Sequence, residues 1–262
     1  MAGCRVSANA GDYIGPVLGL PPHVTACLFD LDGVLTQTAL VHNAAWKQTF
    51  DSILQAWSAR NGQPFVPFDS GDDYHRYVDG RQRADGVRTF LASRGITLPE
   101  GSPDDGPDEE TVNGIGNRKN QLVLQKIAEG AVEVYAGSVD YLHAAKAAGL
   151  RRAVVSASAN CAAVLEAAGI ADLIEARVDG VVARERHLPG KPAPDTFLYG
   201  AQLLDTPPEN CAVFEDALAG VAAGRAGGFG IVVGVDRVGQ AAALSANGAD
   251  IVVQDLSELL TR

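Results

Sequence analysis

Apolar residues change rhythm twice along this chain. A solid apolar run from Thr25 to Phe29 predicts a short buried strand. From Ala39 the spacing turns helical, with Val41, Ala45, Trp46, Phe50, Ile53, Leu54 and Trp57 on one stripe that Gly62, Pro64 and Pro67 end. Val78, Val87, Phe90 and Leu91 predict further short helices up to Arg94, closed by Gly95. An acidic, proline-containing loop runs from Gly101 to Glu110, and Val112 to Glu129 return to helix. Residues 38–132 therefore read as a helical insert behind the first strand.

From Tyr135 the elements alternate. Helices are expected at Ser138–Ala148, Ala159–Ala168, Pro194–Leu204, Ala217–Ala226 and Ala241–Asn247, with a last helical stretch at Leu256–Leu260. Between them, strands are expected at Ala153–Val155, near Leu173–Val178, and at Cys211–Phe214, Ile231–Val233 and Ile251–Val253. Such alternation implies right-handed crossovers and a parallel sheet. The expected fold is α/β: a parallel-sheet, Rossmann-like core of residues 1–37 and 133–262 carrying a helical domain of residues 38–132. Residues 1–24 read as an arm without assigned chemistry.

Composition narrows the function without naming it. The 262 residues are 47% hydrophobic and 20% charged, ordinary for a globular protein. A formal charge of −11 argues against a nucleic-acid partner and requires any phosphate site to be locally basic. No apolar run is long enough to span a membrane. Cys4, Cys27, Cys161 and Cys211 lack metal-ligand spacing, and Cys27 and Cys211 fall in predicted strands, so a reduced, cytoplasmic setting is expected.

The chemistry collects at strand ends. Asp30 and Asp32 leave the first strand at i, i+2 and can address one site, followed by Gly33. Two carboxylates that close call for a cation such as Mg²⁺, with one acid ionised as nucleophile and the other protonated. A calcium loop does not fit, since Gly33 is fourth and Val41 twelfth. Ser156-Ala157-Ser158-Ala159-Asn160 passes from strand to helix, where hydroxyls and N–H groups suit a phosphate, although taken alone the stretch favours plain N-capping by Ser158. Lys191 precedes a proline-opened helix, and Glu215-Asp216 end another strand with hard oxygens suited to Mg²⁺.

This ordered set of Asp30-Leu31-Asp32-Gly33-Val34, Ser156, Lys191-Pro192-Ala193-Pro194-Asp195 and Glu215-Asp216 resembles the haloacid dehalogenase superfamily of phosphotransferases. The resemblance implies that Asp30 is a nucleophile forming an aspartyl-phosphate and Asp32 a general acid/base. It implies a Mg²⁺ site of Asp30, Asp32 through its carbonyl, and Asp216, with Glu215 in or beside the shell. Ser156, Ala157 and Lys191 would bind the transferred phosphoryl group.

The insert resembles the cap of the β-phosphoglucomutase-like subfamily. Thr36-Gln37-Thr38, His42 and Trp46 match its entry, Gly80-Arg81-Gln82-Arg83 its phosphate-reading loop, and Arg118-Lys119-Asn120 its lysine segment. Ser158 and Asn160 match its distal-phosphate contacts. Thr38, His42, Trp46, Gly80, Arg83, Lys119, Ser158 and Asn160 are thus the implied substrate and cap residues. Three positions depart: Ala159 stands where the subfamily carries a lysine, Arg81 where it is apolar, and Gly86 where it has serine. The loop from Gly101 to Glu110 has no counterpart in it.

The resemblance implies conversion of β-glucose 1-phosphate to glucose 6-phosphate with Mg²⁺ and with glucose 1,6-bisphosphate as activator; a monomer acting on a small phosphorylated sugar is expected. A sugar-phosphate phosphatase using the same nucleophile is the second expectation. A phospho-ligand sensor without turnover is the third.

Overall fold

The computed structural model describes residues 17–130 and 132–261. Cys4 and most of the N-terminal arm lie outside them. Six parallel strands form one sheet, in the order β3-β2-β1-β4-β5-β6. They are β1 (Ala26–Phe29), β2 (Arg151–Val155), β3 (Ala176–Val178), β4 (Cys211–Glu215), β5 (Ile231–Val235) and β6 (Ile251–Val253). The order reverses at β1, whose neighbours are β2 and β4, and ligands of open α/β sheets bind at such switch points.

Alternation along β1 divides the core. Cys27 and Phe29 pack into the apolar layer under α4 (Ala136–Ala147) and α5 (Cys161–Ala167). Ala26 and Leu28 enter the opposite layer, under α7 (Asp195–Leu203), α8 (Leu218–Ala226) and α9 (Ala241–Ala246). With both faces covered, every residue of β1 is fully buried, which explains its unbroken apolar run.

Residues 38–128 carry α1 (Thr38–Asn61), a π-helical turn (Tyr74–Val78), α2 (Arg83–Ser93) and α3 (Val112–Ala128). Their separate core is aromatic, with Trp46 stacked on Phe50 at 4.9 Å and Phe50 against Phe90 at 4.2 Å. Two chain crossings join this unit to the sheet. Gln37 N donates to Glu133 O (2.8 Å) and Tyr135 N to Leu35 O (3.0 Å).

Several boundaries differ from the sequence expectation. Helix α5 starts at Cys161 rather than Ala159, because the Ser156 and Ser158 hydroxyls accept the N–H groups of Ser158 and Asn160 and hold that stretch as a loop. Leu173 belongs to a 3-10 turn (Ala171–Leu173) ahead of β3, and Pro194 precedes α7 as its N-cap. The last element is a 3-10 turn, Leu256–Leu259. One helix was not expected at all, α6 (Gly180–Glu185). Cys27, Cys161 and Cys211 are buried free thiols, as expected for the strand cysteines. Among the described residues no helix is long and apolar enough to cross a membrane.

Candidate active site

Register brings the acids together. Phe29 of β1 pairs with Val154 of β2 and Phe214 of β4, so Asp30 emerges between Val155 and Glu215. Asp30 N donates to Phe214 O (2.9 Å), fixing its backbone. Lys191 Nζ donates to Asp30 Oδ1 and Glu215 Oε1, both at 2.5 Å, and to Val155 O at 3.1 Å. Burial raises the Asp30 carboxyl well above the usual range, with Lys191 opposing and Glu215 and Asp32 adding to the rise. Burial also works against the charge on Lys191, but Asp30 and Glu215 outweigh it and raise that pKa.

Glu215 is fully buried and both its oxygens are engaged, Oε1 by Lys191 and Oε2 by Ala217 N at 2.8 Å. It stands beside the acids as the anchor of Lys191. Asp216 instead lies across Gly33, where a Cβ would fall 1.8 Å from Asp216 Oδ2. That contact and a φ of 94° both demand glycine. Burial raises the Asp216 carboxyl well above its usual value, reinforced by Asp79, Glu215 and Asp30.

Asp30, with one oxygen on Lys191, and Asp216, which forms no ion pair among the described residues, fit a hard cation. Among the described residues no three His, Cys, Asp or Glu side chains close into a ready metal cage. Mg²⁺ does not require one, since it keeps waters and takes one or two carboxylates plus substrate phosphate oxygens.

Asp32 faces the helical unit. Its Oδ1 accepts from Thr38 Oγ1, which also shares a 2.6 Å hydrogen bond with Thr36 Oγ1 at the crossing. Ser156 Oγ donates to Asp32 Oδ2 at 3.4 Å. His42 Nε2 lies 3.7 Å from Asp32 Oδ1, buried and without a hydrogen-bond partner, while its Nδ1 is 2.8 Å from Lys119 Nζ. Lys119 is itself buried, 4.9 Å from the centre of the Trp46 ring. Burial lowers Lys119 to about 7, with Asp32 opposing and Arg83 assisting. Burial and Lys119 together lower His42 to about 4.

A cavity of about 470 Å³ joins these groups. Asp30, Asp32, Asp216, His42, Trp46, Gly80, Arg83, Lys119, Ala157 and Ser158 all line it. Ser156 and Lys191 sit in a small recess alongside, with Ala157 lining both spaces. Asn160 is held off the cavity wall, its Nδ2 donating to Asn120 Oδ1 (3.0 Å) across the cleft. Gly80 touches the core directly. Its φ is 68°, and a Cβ there would lie 2.9 Å from Ala217 Cβ.

Residues 24–228 match the family model for haloacid dehalogenase-like hydrolases. The chain belongs to this family. It is 57% identical to the β-phosphoglucomutase of Mycobacterium tuberculosis (strain CDC 1551 / Oshkosh) over 247 residues, covering 93% of this chain and 94% of that one. With the β-phosphoglucomutase of Bacillus subtilis (strain 168) it shares 31% identity over 234 residues, 89% of this chain and 91% of the other. The crystal structure of β-phosphoglucomutase from Clostridium difficile superposes with a TM-score of 0.71 at 26% identity, covering 90% of this chain and 93% of that one.

Sequence reasoning passed over Tyr74, Asp79, Arg184 and His187, which also line the cavity of this haloacid dehalogenase-like chain. Asp79 directly precedes the Gly80 loop already singled out, so proximity was the available signal. Asp79 also accepts or shares a proton with His75 Nδ1 at 3.1 Å. Arg184 gave no signal, because α6 is six residues long and shows no apolar period.

Proposed function

We infer that this protein is a β-phosphoglucomutase, converting β-glucose 1-phosphate to glucose 6-phosphate through an aspartyl-phosphate and a bound 1,6-bisphosphate. The observation that carries the reading is a single cavity with lysine-tied Asp30 on its core wall and Arg83 on its helical wall. A phosphatase needs only the first; a mutase must hold a phosphate on each side. The 57% identical relative named β-phosphoglucomutase supports the same reading.

Residues 38–132 serve as the cap, and residues 1–37 with 133–262 as the core. Asp30 carries the phosphoryl group, primed by glucose 1,6-bisphosphate. The substrate's 6-hydroxyl oxygen attacks phosphorus, the bond from phosphorus to the Asp30 carboxylate breaks, and the hydroxyl proton passes to Asp32. The bisphosphate then presents its other end. Asp30 attacks the 1-phosphate, the bond between that phosphorus and O1 breaks, and Asp32 returns the proton to O1, which restores phospho-Asp30. Mg²⁺ bound by Asp30, the Asp32 carbonyl and Asp216 would neutralise the repulsion between carboxylate and phosphoryl oxygens.

Ser156, the Ala157 N–H and Lys191 hold the transferring group. His42, carrying a hydrogen bond from Lys119 on Nδ1, presents its Nε2–H towards Asp32 and orients that carboxyl once the cleft tightens. Arg83 and Ser158 hold the other phosphate, and Trp46 supports Lys119. Three buried, unpaired cysteines suit a cytoplasmic enzyme, and we take it to act as a monomer.

A phosphatase is the second reading, favoured by Ala159 where the subfamily carries a lysine. The test is an assay of β-glucose 1-phosphate with Mg²⁺ and a trace of glucose 1,6-bisphosphate, following glucose 6-phosphate and free phosphate together. Glucose 6-phosphate rising without phosphate is expected. Phosphate rising in its place would establish hydrolysis, and full activity in Asp30→Asn would remove Asp30 as nucleophile.

A further inference from the structure

Position 159 is an alanine, so the loop between β2 and α5 offers no side-chain cation to a second phosphate. The neighbouring helix does. Helix α6 is pressed onto that loop at its start. Gly180 N donates to Ser158 O at 3.1 Å, and a Cβ on Gly180 would lie 2.8 Å from Ala157 O and 3.0 Å from Ala159 N. Only glycine allows this approach. Asp179 Oδ1 then accepts from Val181 N and Val182 N, which fixes the helix in place. Arg184 stands four residues after Gly180 and so projects from the same helix face, and both residues line the cavity beside Ala159.

Arg83 reaches the same cavity from the cap. Gly116 makes room for its stem, since a Cβ there would lie 3.1 Å from Arg83 Cγ, and Arg83 Nη2 donates to Asn117 Oδ1 at 3.1 Å. Neither Arg83 nor Arg184 forms an ion pair with a carboxylate among the described residues. This is not for want of acids, because Asp and Glu number 32 against 21 Lys and Arg. Both guanidinium groups line the one cavity, and burial and the Arg184 charge lower the Arg83 pKa, so the two repel. A phosphate dianion between them removes that repulsion and accepts from both forks.

We propose that Arg184 and Arg83 form a clamp on the phosphate that is not being transferred, with Arg184 acting from α6 in place of the lysine absent at Ala159. The clamp rests on the mutase reading for the identity of its sugar phosphate. One arginine belongs to the core and the other to the cap, so a second phosphate bridges the two walls and favours closure. A donor without a second phosphate cannot use it.

The experiment compares two phosphoryl donors to Asp30 in the full chain with Mg²⁺: glucose 1,6-bisphosphate, and acetyl phosphate, which has no distal phosphate. Arg184→Ala is expected to raise the KM for the bisphosphate about 10–100-fold relative to that for acetyl phosphate, the size of one charge-assisted pair. Adding Ala159→Lys to that variant should recover most of the loss. Arg186→Ala removes the same charge from a side chain that lies over the Tyr199 ring instead, and should leave the ratio unchanged. A ratio that does not move in Arg184→Ala, or that moves equally in Arg186→Ala, overturns the clamp whatever the wild type makes. A wild type that forms no glucose 6-phosphate, while Arg184→Ala still loses the bisphosphate selectively, overturns the mutase reading and supports the clamp.

Discussion

Gly33 and Lys119 carry constraints that their residue types alone do not announce. Gly33 combines a positive φ with the passage of the Asp216 carboxylate across its Cα, so Gly33→Ala must push Asp216 aside. The half-saturating Mg²⁺ concentration for turnover should rise about tenfold or more, a step of roughly 1.4 kcal/mol, and a magnesium titration reads it. Lys119 is a buried base whose folded pKa is lowered to about 7 from 10.5. Between those values the unfolded chain binds a proton that the folded chain does not, so this group makes stability rise with pH across that window. Its penalty is complete below pH 7 and gone above 10.5. Lys119→Met removes the penalty, so its melting temperature relative to wild type should be highest below pH 7 and fall as pH rises towards 10.5. A difference that stays flat with pH would mean that Lys119 keeps an ordinary pKa.

Helices and loops of the two walls meet through few direct bonds, which makes closure sensitive to single side chains. Gln82 Nε2 donates to Leu188 O at 3.1 Å, and Asn160 to Asn120, each joining cap to core. A net hydrogen bond is worth about 0.5–1.5 kcal/mol, so Gln82→Ala should lower the closed population by up to about tenfold. Water then reaches phospho-Asp30 more often, and the ratio of free phosphate to glucose 6-phosphate should rise several-fold; an unchanged ratio would detach Gln82 from closure. At this scale the long elements were legible and the short ones were not. The stripe from Val41 to Trp57 foretold α1 because a long helix must bury one face. Helix α6 escaped because six residues held by an Asp179 cap and a glycine contact need no apolar period. The start of α5 was misjudged because hydroxyl-to-N–H bonds, invisible to periodicity, keep Ser158 to Asn160 out of the helix. Asp30, Asp32 and Asp216 were legible as strand-end groups and Lys191 as a lysine ahead of a proline-opened helix, whereas Arg184 depends on how α6 packs against a distant loop.

Across the whole molecule, charge is arranged against the net field. A chain of formal charge −11 holds Asp30, Asp32, Asp79 and Asp216 on one cavity, with Arg81, Arg83, Lys119 and Arg184 on the same walls. Burial lifts the Asp30 and Asp216 carboxyls above their usual values, and neighbouring acids add to it, so without a cation the folded state holds protons that the unfolded chain releases. For groups with raised folded pKa values, stability is fully present below the unfolded value and is lost as pH rises through the folded value. Mg²⁺ held by this ionised pair in the folded state alone would reverse this, stabilising by mass action. Saturating Mg²⁺ should therefore raise the melting temperature of the wild type most at neutral to alkaline pH. The increment should shrink as pH falls towards the ordinary carboxylate range, where protons occupy the same oxygens. Asp216→Asn, which leaves one carboxylate instead of two, should be more stable than wild type without metal and gain much less from adding it. Thermal melts with Mg²⁺ and with chelator, at several pH values, read all three effects. An increment independent of both pH and Asp216 would place the metal away from these carboxylates, and the assignment of the floor of the cavity would fall with it.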